Sequence, residues 1–230
     1  MRAVRWRAWL LGDHSVVHRL RSLPLRCPDR TRYDIQINLD MPRTPGADRD
    51  LLSRLLRTYV DMHSGLGYVQ GMNFVASTLL NVFCRSGEPD HAFHDAYFCF
   101  HAIMTKIRVF YPLNWRDKSP LKVTKATATL MCMHLEAELR RSLPEEFNSY
   151  LSLFLMRFWP SLFANMFDDP AVVWDFLIPD LRRNLFSLTT AMFLRHRVLL
   201  ENDLPRRRRP HVPLHNHAQR AWQQVAAHLL

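Results

Sequence analysis

The chain has 230 residues, 48% of them hydrophobic and 23% charged, which suits one globular domain with a sizeable core and excludes a disordered protein. Its formal net charge of +10 resembles that of a nucleic-acid-binding protein. The excess lies at the ends, however: residues 1–32 hold eight arginines against two acids, and residues 195–230 hold seven against two. The middle is close to neutral and has no stripe of arginines and aromatic residues, which argues against a nucleic-acid partner.

The basic ends have two interpretations. Clustered arginines attract anionic membranes or acidic partners, which would allow peripheral membrane association. The same arginines are equally consistent with solvated side chains that have no partner. The sequence does not decide between the two.

Cysteine usage and the hydrophobic segments indicate a cytosolic protein. The cysteines occur singly, without a CxxC pair, at Cys27, Cys84, Cys99 and Cys132. We expect them to be reduced, and the last three to be small hydrophobic core residues. The N-terminal segment is too short and too often interrupted by arginine for a secretory signal. The most hydrophobic stretch, residues 151–167, is broken by Arg157 and Pro160 and is a poor membrane span.

Apolar residues recur at helical spacing along most of the chain. The predicted helices cover residues 50–62, 74–83, 93–107, 123–140, 145–156 and 185–200. A shorter one begins at Asp169-Pro170 and ends at Pro179, and Asp48 or Asp50 is the predicted cap of the first. No pair of strand-like runs is joined by a tight turn. The expected architecture is therefore all-α, compact and without a sheet.

The composition changes after about Leu204. Prolines flank the basic run Arg206–Arg209, and the last residues, 218–230, are compatible with a short helix. We therefore expect a helical domain over residues 1–200, followed by a basic, proline- and arginine-rich linker with a short C-terminal helix over residues 201–230.

Two segments contain polar residues that helix packing does not explain. One runs from residue 37 to 45 with the sequence INLDMPRTP, and the other from residue 65 to 73 with the sequence GLGYVQGMN. Both lie at the edges of predicted helices, where exposed polar groups on a rigid scaffold are often functional. Between them they offer one arginine, Arg43, and one glutamine, Gln70, with no candidate general base beside them.

These segments resemble the two signature motifs of the TBC family of Rab GTPase-activating proteins, IxxDxxR and YxQ. Ile37, Asp40 and Arg43 match the first motif, and Tyr68 and Gln70 match the second. The longer string from residue 67 to 74 also resembles the family. One IxxDxxR match alone would be weak, but the motifs occur in the family's order.

Two further elements extend the resemblance across about residues 1–200. An RxxxW element near the start of such domains matches Arg2 and Trp6. Trp174 and Asp175 are similar to the family's late Trp-Asp element. We expect the first pair, like Ile37, to be structural and the second pair to be packing and capping residues.

The resemblance implies a protein that accelerates GTP hydrolysis by Rab-type small GTPases and so regulates vesicle trafficking. It implies that Arg43 is an arginine finger and that Gln70 replaces the GTPase's own glutamine. The residues expected to support these fingers are Asp40, Tyr68 and Thr44. The candidates for contact with the partner are Gly71, Met72 and Asn73.

The same resemblance sets expectations for cofactors and location. The chain would lend catalytic residues in trans, so it would be a GTPase activator and not itself an enzyme. GTP and Mg²⁺ would arrive on the partner, and no cofactor of its own is required. We expect a cytosolic protein recruited to endomembranes. The alternative is an inactive Rab-binding scaffold or effector, which the presence of both finger residues disfavours.

No metal site is predicted. His94 and His101 could share a helix face near Cys99, but these residues form no compact ligand set at a familiar spacing.

Overall fold

The structure is a computed structural model that describes residues 1–12, 30–63, 65–85, 89–112 and 117–195. Within these ranges it consists of α-helices and short 3-10 turns and contains no strand, which confirms the all-α prediction. The helices are α1 (Arg2–Leu11), α2 (Arg30–Asp40), α3 (Arg49–Met62), α4 (Met72–Cys84), α5 (Pro89–Lys106), α6 (Ser119–Leu139), α7 (Glu146–Phe158), α8 (Pro170–Leu177) and α9 (Leu181–Arg195). The 3-10 turns are Met41–Arg43, Arg108–Phe110 and Ile178–Asp180.

Two helix starts follow directly from local sequence. The Asp48 carboxylate caps α3 by accepting hydrogen bonds from the backbone N–H groups of Asp50 and Leu51 at 2.9 and 3.0 Å. Asp169 caps α8 in the same way, and Pro170 occupies its first turn, where its missing N–H costs nothing. Both predicted caps are confirmed.

Other boundaries differ from the prediction. Helix α2 is not among the predicted helices, because its sequence is mostly polar and only Ile37 and Asp40 are buried. Helix α6 begins at Ser119, ahead of the predicted residue 123, because Pro120 is tolerated in the first turn. Helix α9 begins at Leu181, ahead of the predicted residue 185. The predicted helix at 218–230 lies outside the described residues.

Helix α4 lies at the centre of the fold. It packs against α3 and α5, and nine of its thirteen residues are buried. A second close pair is formed by α6 and α7. Since α4 begins directly after the glutamine segment and adjoins α3, which follows the arginine segment, the core brings both polar segments to one end of this central helix.

The chain start is joined to α8, which corrects one expectation. Trp6 is fully buried with its ring centroid 5.5 Å from that of Trp174. Its Nε1 donates to Asp175 Oδ1 at 2.8 Å, and Arg2 Nε donates to Asp175 Oδ2 at 2.9 Å. Asp175 therefore lies within α8 as the acceptor that fixes α1, and it is not a capping residue. The structural assignment of Arg2 and Trp6 agrees with these contacts.

The cysteine expectation is partly wrong. Cys99 is buried and Cys132 is half-buried, but Cys84 is exposed because it lies in the last turn of α4, at the edge of the core. Cys27 lies outside the described residues. In the described part of the chain, no helix is both long and apolar enough to cross a membrane. The described residues also contain no cluster of three or more metal-ligating side chains.

Candidate functional site

The Arg43 segment is positioned by the last turn of α2. Ile37 is fully buried and anchors that turn in the core, and Asp40 is its last residue. The 3-10 turn Met41–Arg43 follows, with Met41 buried and Pro42 in its first positions. Arg43 is thus the last residue of a short, proline-stiffened turn, and 58% of its side chain is exposed.

The carboxylate of Asp40 joins the two polar segments. Its Oδ1 accepts hydrogen bonds from Nε of Arg43 at 2.9 Å and also from Nη2 of Arg43. Its Oδ2 accepts a hydrogen bond from the Tyr68 hydroxyl at 2.6 Å. Asp40 is only 4% exposed, and a buried carboxylate is costly unless both oxygens are partnered. These contacts satisfy both oxygens and fix one edge of the Arg43 guanidinium.

The second link runs through Thr44 and Asn73. The Thr44 hydroxyl donates to the Asp40 carbonyl at 2.8 Å and accepts a hydrogen bond from Asn73 Nδ2 at 2.7 Å. Asn73 Oδ1 in turn accepts from the Gly71 N–H at 3.0 Å. Gly71 directly follows Gln70, so a continuous chain of hydrogen bonds joins the segment carrying Arg43 to the segment carrying Gln70.

One face of α4 holds the arginine segment in place. Asn73, Ser77 and Asn81 lie at positions i, i+4 and i+8 of this mostly apolar helix. Ser77 Oγ donates to the carbonyl of Pro45 at 2.6 Å. Asn81 lies so close to Gly46 that a Cβ there would overlap its side chain. Sequence reasoning missed Ser77 and Asn81, although three polar residues at one helical spacing were a signal that could have found them.

The backbone of the glutamine segment needs glycine at two positions. Gly67 has a φ of +64°, and a Cβ there would overlap the ring of Tyr33. Gly71 has a φ of +107°, a conformation that residues with a side chain rarely adopt, although a Cβ added there would only reach ordinary contact with Pro160, at 3.6 Å. Pro160 is itself fixed, because its carbonyl accepts a hydrogen bond from the buried hydroxyl of Tyr111. Tyr33 and Pro160 thus lie next to the two glycines that flank Gln70.

The Tyr68 hydroxyl acts as a permanent donor in this site. Burial, followed by the hydrogen bond to Asp40, raises the pKa of Tyr68 well above its ordinary value of 10. The phenol therefore keeps its proton across the physiological pH range and can always donate to the Asp40 carboxylate. A phenolate would instead repel that carboxylate.

The predicted site residues fall into an exposed and a buried group. Arg43 and Gln70 are exposed, whereas Asp40 and Tyr68 are buried beneath them. The residues predicted to contact a partner are buried as well: Gly71, Met72 and Asn73. The side chains of Met72 and Asn73 lie buried at the start of α4, directly after the loop that presents Gln70, and partner contact by these residues stays a prediction.

The exposed groups at this site are a cation and a carboxamide. Arg43 Nη1 donates no hydrogen bond within the part of the chain that the structure describes, so one edge of the guanidinium faces outward. A guanidinium edge suits a phosphate, and a carboxamide can both donate and accept a hydrogen bond. The arrangement is suited to bind an anion and to orient a small polar molecule, such as water.

Comparisons with known proteins agree with the sequence motifs. The family model of the Rab-GTPase-TBC domain matches residues 4–200. TBC1 domain family member 13 from Homo sapiens is 29% identical over 174 residues, covering 71% of this chain and 43% of that protein. Its counterpart from Mus musculus is 29% identical over 150 residues, covering 56% of this chain and 38% of that protein.

A more distant relative is a TBC domain-containing protein from Schizosaccharomyces pombe, 27% identical over 150 residues, covering 62% of this chain and 24% of that protein. The chain thus spans less than half the length of the curated relatives it matches. No solved structure matches it.

Proposed function

The chain belongs to the Rab-GTPase-TBC domain family, and on that basis we propose that it accelerates GTP hydrolysis by a Rab-type GTPase, with Arg43 and Gln70 entering the partner's nucleotide site. The observation that carries this proposal is the buried Asp40 carboxylate, which bonds Arg43 on one oxygen and Tyr68 on the other. A single group thereby sets the position of the arginine turn relative to the glutamine segment.

Arg43 has the chemistry that the reaction needs. In the transition state of GTP hydrolysis, charge is spread over the phosphoryl oxygens, and an arginine supplied in trans stabilises that charge. The planar guanidinium presents two parallel N–H donors to two oxygens, a bidentate geometry that the lysine ammonium lacks. With Nε and Nη2 held by Asp40, the side chain loses little conformational entropy when its outer edge meets the phosphate.

Gln70 supplies the second function. Its carboxamide can accept a hydrogen bond from the attacking water and donate one to the phosphate, which holds the water in line. The backbone directly after it is held by the hydrogen bond from the Gly71 N–H to Asn73 Oδ1. GTP and Mg²⁺ belong to the partner in this mechanism.

The experiment measures single-turnover GTP hydrolysis by a panel of GTP-loaded Rab proteins, with and without the chain. Arg43→Ala is expected to remove most of the acceleration, about 10³- to 10⁵-fold for a full arginine-finger effect. Arg43→Lys should not restore it, because lysine lacks the planar fork. Gln70→Ala should also remove most of the acceleration. Arg49→Ala, at an exposed arginine in the first turn of α3, is the matched control.

Two results would contradict the proposal. One is full acceleration by Arg43→Ala, which would exclude the arginine finger. The other is GTP-dependent binding to a Rab without any gain in turnover, which would favour the scaffold interpretation.

Recruitment from the cytosol to endomembranes through the basic ends is part of the same proposal. It rests on the arginines of residues 1–32 and 195–230. Sedimentation with vesicles that contain anionic lipids, compared with neutral vesicles at the same salt concentration, tests it. Equal sedimentation with both would exclude recruitment through these arginines.

A further inference from the structure

An apolar pocket of about 260 Å³ lies beside Gln70. It is enclosed by the glutamine segment, the 3-10 turn Arg108–Phe110, the start of α6 and the end of α7. Its apolar lining includes Val69, Phe110, Leu121, Leu155, Met156 and Pro160. Gln70 itself forms part of the wall.

We propose that this pocket receives one large apolar side chain of the partner GTPase, from the surface that flanks the partner's nucleotide site. The inference rests on the proposed function and adds to it a recognition element that neither finger supplies. It assigns the partner's specificity in part to a side chain that does not take part in the chemistry.

The position of Gln70 indicates which part of the partner supplies the occupant. The residue is exposed and at the same time lines the pocket. If its carboxamide enters the nucleotide site of the GTPase, the partner surface next to that site must lie over the pocket mouth. The occupant therefore comes from this part of the partner and not from a remote region of it.

The polar groups of the pocket indicate what kind of side chain fits. The Tyr111 hydroxyl donates to the carbonyl of Pro160, and the Thr124 hydroxyl donates to the carbonyl of Pro120 at 2.7 Å. The Asp117 carboxylate accepts hydrogen bonds from the N–H and hydroxyl of Ser119 at 2.9 and 2.6 Å. These hydroxyl groups and one oxygen of the carboxylate are bonded within the chain, and most of the remaining lining is apolar.

The size of the pocket limits the occupant to one side chain. Pockets for drug-sized ligands usually measure about 300–1,000 Å³. At about 260 Å³ this pocket is smaller, and it suits a single aromatic or branched aliphatic side chain rather than a helix or a cofactor. An apolar anchor in a small pocket is a common centre of binding energy at protein interfaces.

The test places a carboxylate at the pocket mouth. Met156 lies on α7, lines the pocket and is 44% exposed, so Met156→Glu is compatible with folding. Leu153 lies one turn earlier on the same helix, is 67% exposed and does not line the pocket, which makes Leu153→Glu the matched control. Both variants and the wild-type chain are assayed for GTP hydrolysis by the panel of GTP-loaded Rab proteins, and their Tm values are measured.

We expect Met156→Glu to raise the KM for the GTP-loaded Rab protein about tenfold or more. We expect kcat to change less than about twofold, because the fingers are intact and only an apolar contact is lost. Leu153→Glu should behave like the wild type. Replacing the partner's own apolar anchor by alanine should raise the KM measured with the wild-type chain. With Met156→Glu, the same replacement should raise KM only slightly further.

The outcomes separate the two proposals. If the wild-type chain accelerates no Rab, both are overturned. If it accelerates one and the two variants have the same KM, the pocket is not a docking site and the proposed function stands. If Met156→Glu lowers Tm far more than Leu153→Glu without changing KM, the pocket is filled by the chain's own residues and the inference is overturned.

Discussion

Replacing Tyr68 by phenylalanine tests the link between the two polar segments. The change deletes one hydroxyl, which donates to Asp40 Oδ2 at 2.6 Å, and leaves the ring in place. Tyr68 is 3% exposed and Asp40 is 4% exposed, so water cannot readily replace the lost donor. One oxygen of a buried carboxylate is then unpaired in the folded state, whereas the unfolded chain hydrates it fully.

The expected loss in the free energy of unfolding follows from this unpaired oxygen. Leaving a buried acceptor without a partner costs about 1–3 kcal/mol, and the charge on Asp40 favours the upper half of that range. For a domain of this size, a loss of about 2 kcal/mol lowers Tm by about 4–8 °C. The bond between Asp40 Oδ1 and Arg43 remains, so the guanidinium should be less firmly placed but not released.

A matched control is available at Tyr97. Its side chain is also buried, at 5% exposure, but its hydroxyl has no hydrogen-bond partner in the described part of the chain. Tyr97→Phe removes an unsatisfied polar group, so the free energy of unfolding should stay constant or rise. The two substitutions are chemically identical and differ only in the hydrogen bond.

The assays are urea denaturation and thermal melting of both variants beside the wild type. If Tyr68→Phe and Tyr97→Phe change the free energy of unfolding equally, the hydrogen bond to Asp40 does not stabilise the fold and the reasoning is refuted. A second measurement follows from the proposed function. Tyr68→Phe should lower kcat for GTP hydrolysis by less than Arg43→Ala does, because it displaces the arginine turn without removing the finger.

Contacts elsewhere in the fold make three more predictions testable. Asp175→Asn removes the charge that pairs with Arg2 and Arg5 of α1, and urea denaturation should show that the free energy of unfolding falls by about 1–2 kcal/mol; an unchanged midpoint would contradict this. Gly67→Ala should lower the free energy of unfolding by at least about 1 kcal/mol, because the φ of Gly67 is +64° and the Tyr33 ring must also move. A Tm equal to that of the wild type would be inconsistent with this backbone conformation. Burial, followed by the charge of His101, lowers the pKa of His63 from 6.5 to about 4. As the pH falls from 6.5 toward 4, the unfolded chain therefore binds a proton at His63 that the folded chain does not, and stability declines. Melting at about pH 7 and about pH 5 should show this decline, and His63→Phe should reduce it; an equal decline in the variant would assign it to other groups.

Local signals predicted much of the fold. Apolar spacing identified the helices that bury one face, and Asp48 and Asp169 were recognisable as caps because a cap bonds backbone groups two or three residues away. Helix α2 escaped prediction because only two of its residues are buried, so it has little apolar periodicity. It packs against α3, a contact that the periodicity of α2 does not predict.

The sequence by itself determined the helical class and the family, and it singled out Arg43 and Gln70 as the residues of the proposed finger mechanism. Each of these depends on residue type and short-range spacing. Only the tertiary structure decided that Asp40 lies between Arg43 and Tyr68, and that Asn73 faces inward toward Thr44. Periodicity specifies which face of a helix is buried, but the partner of a buried polar group is set by how separate helices pack.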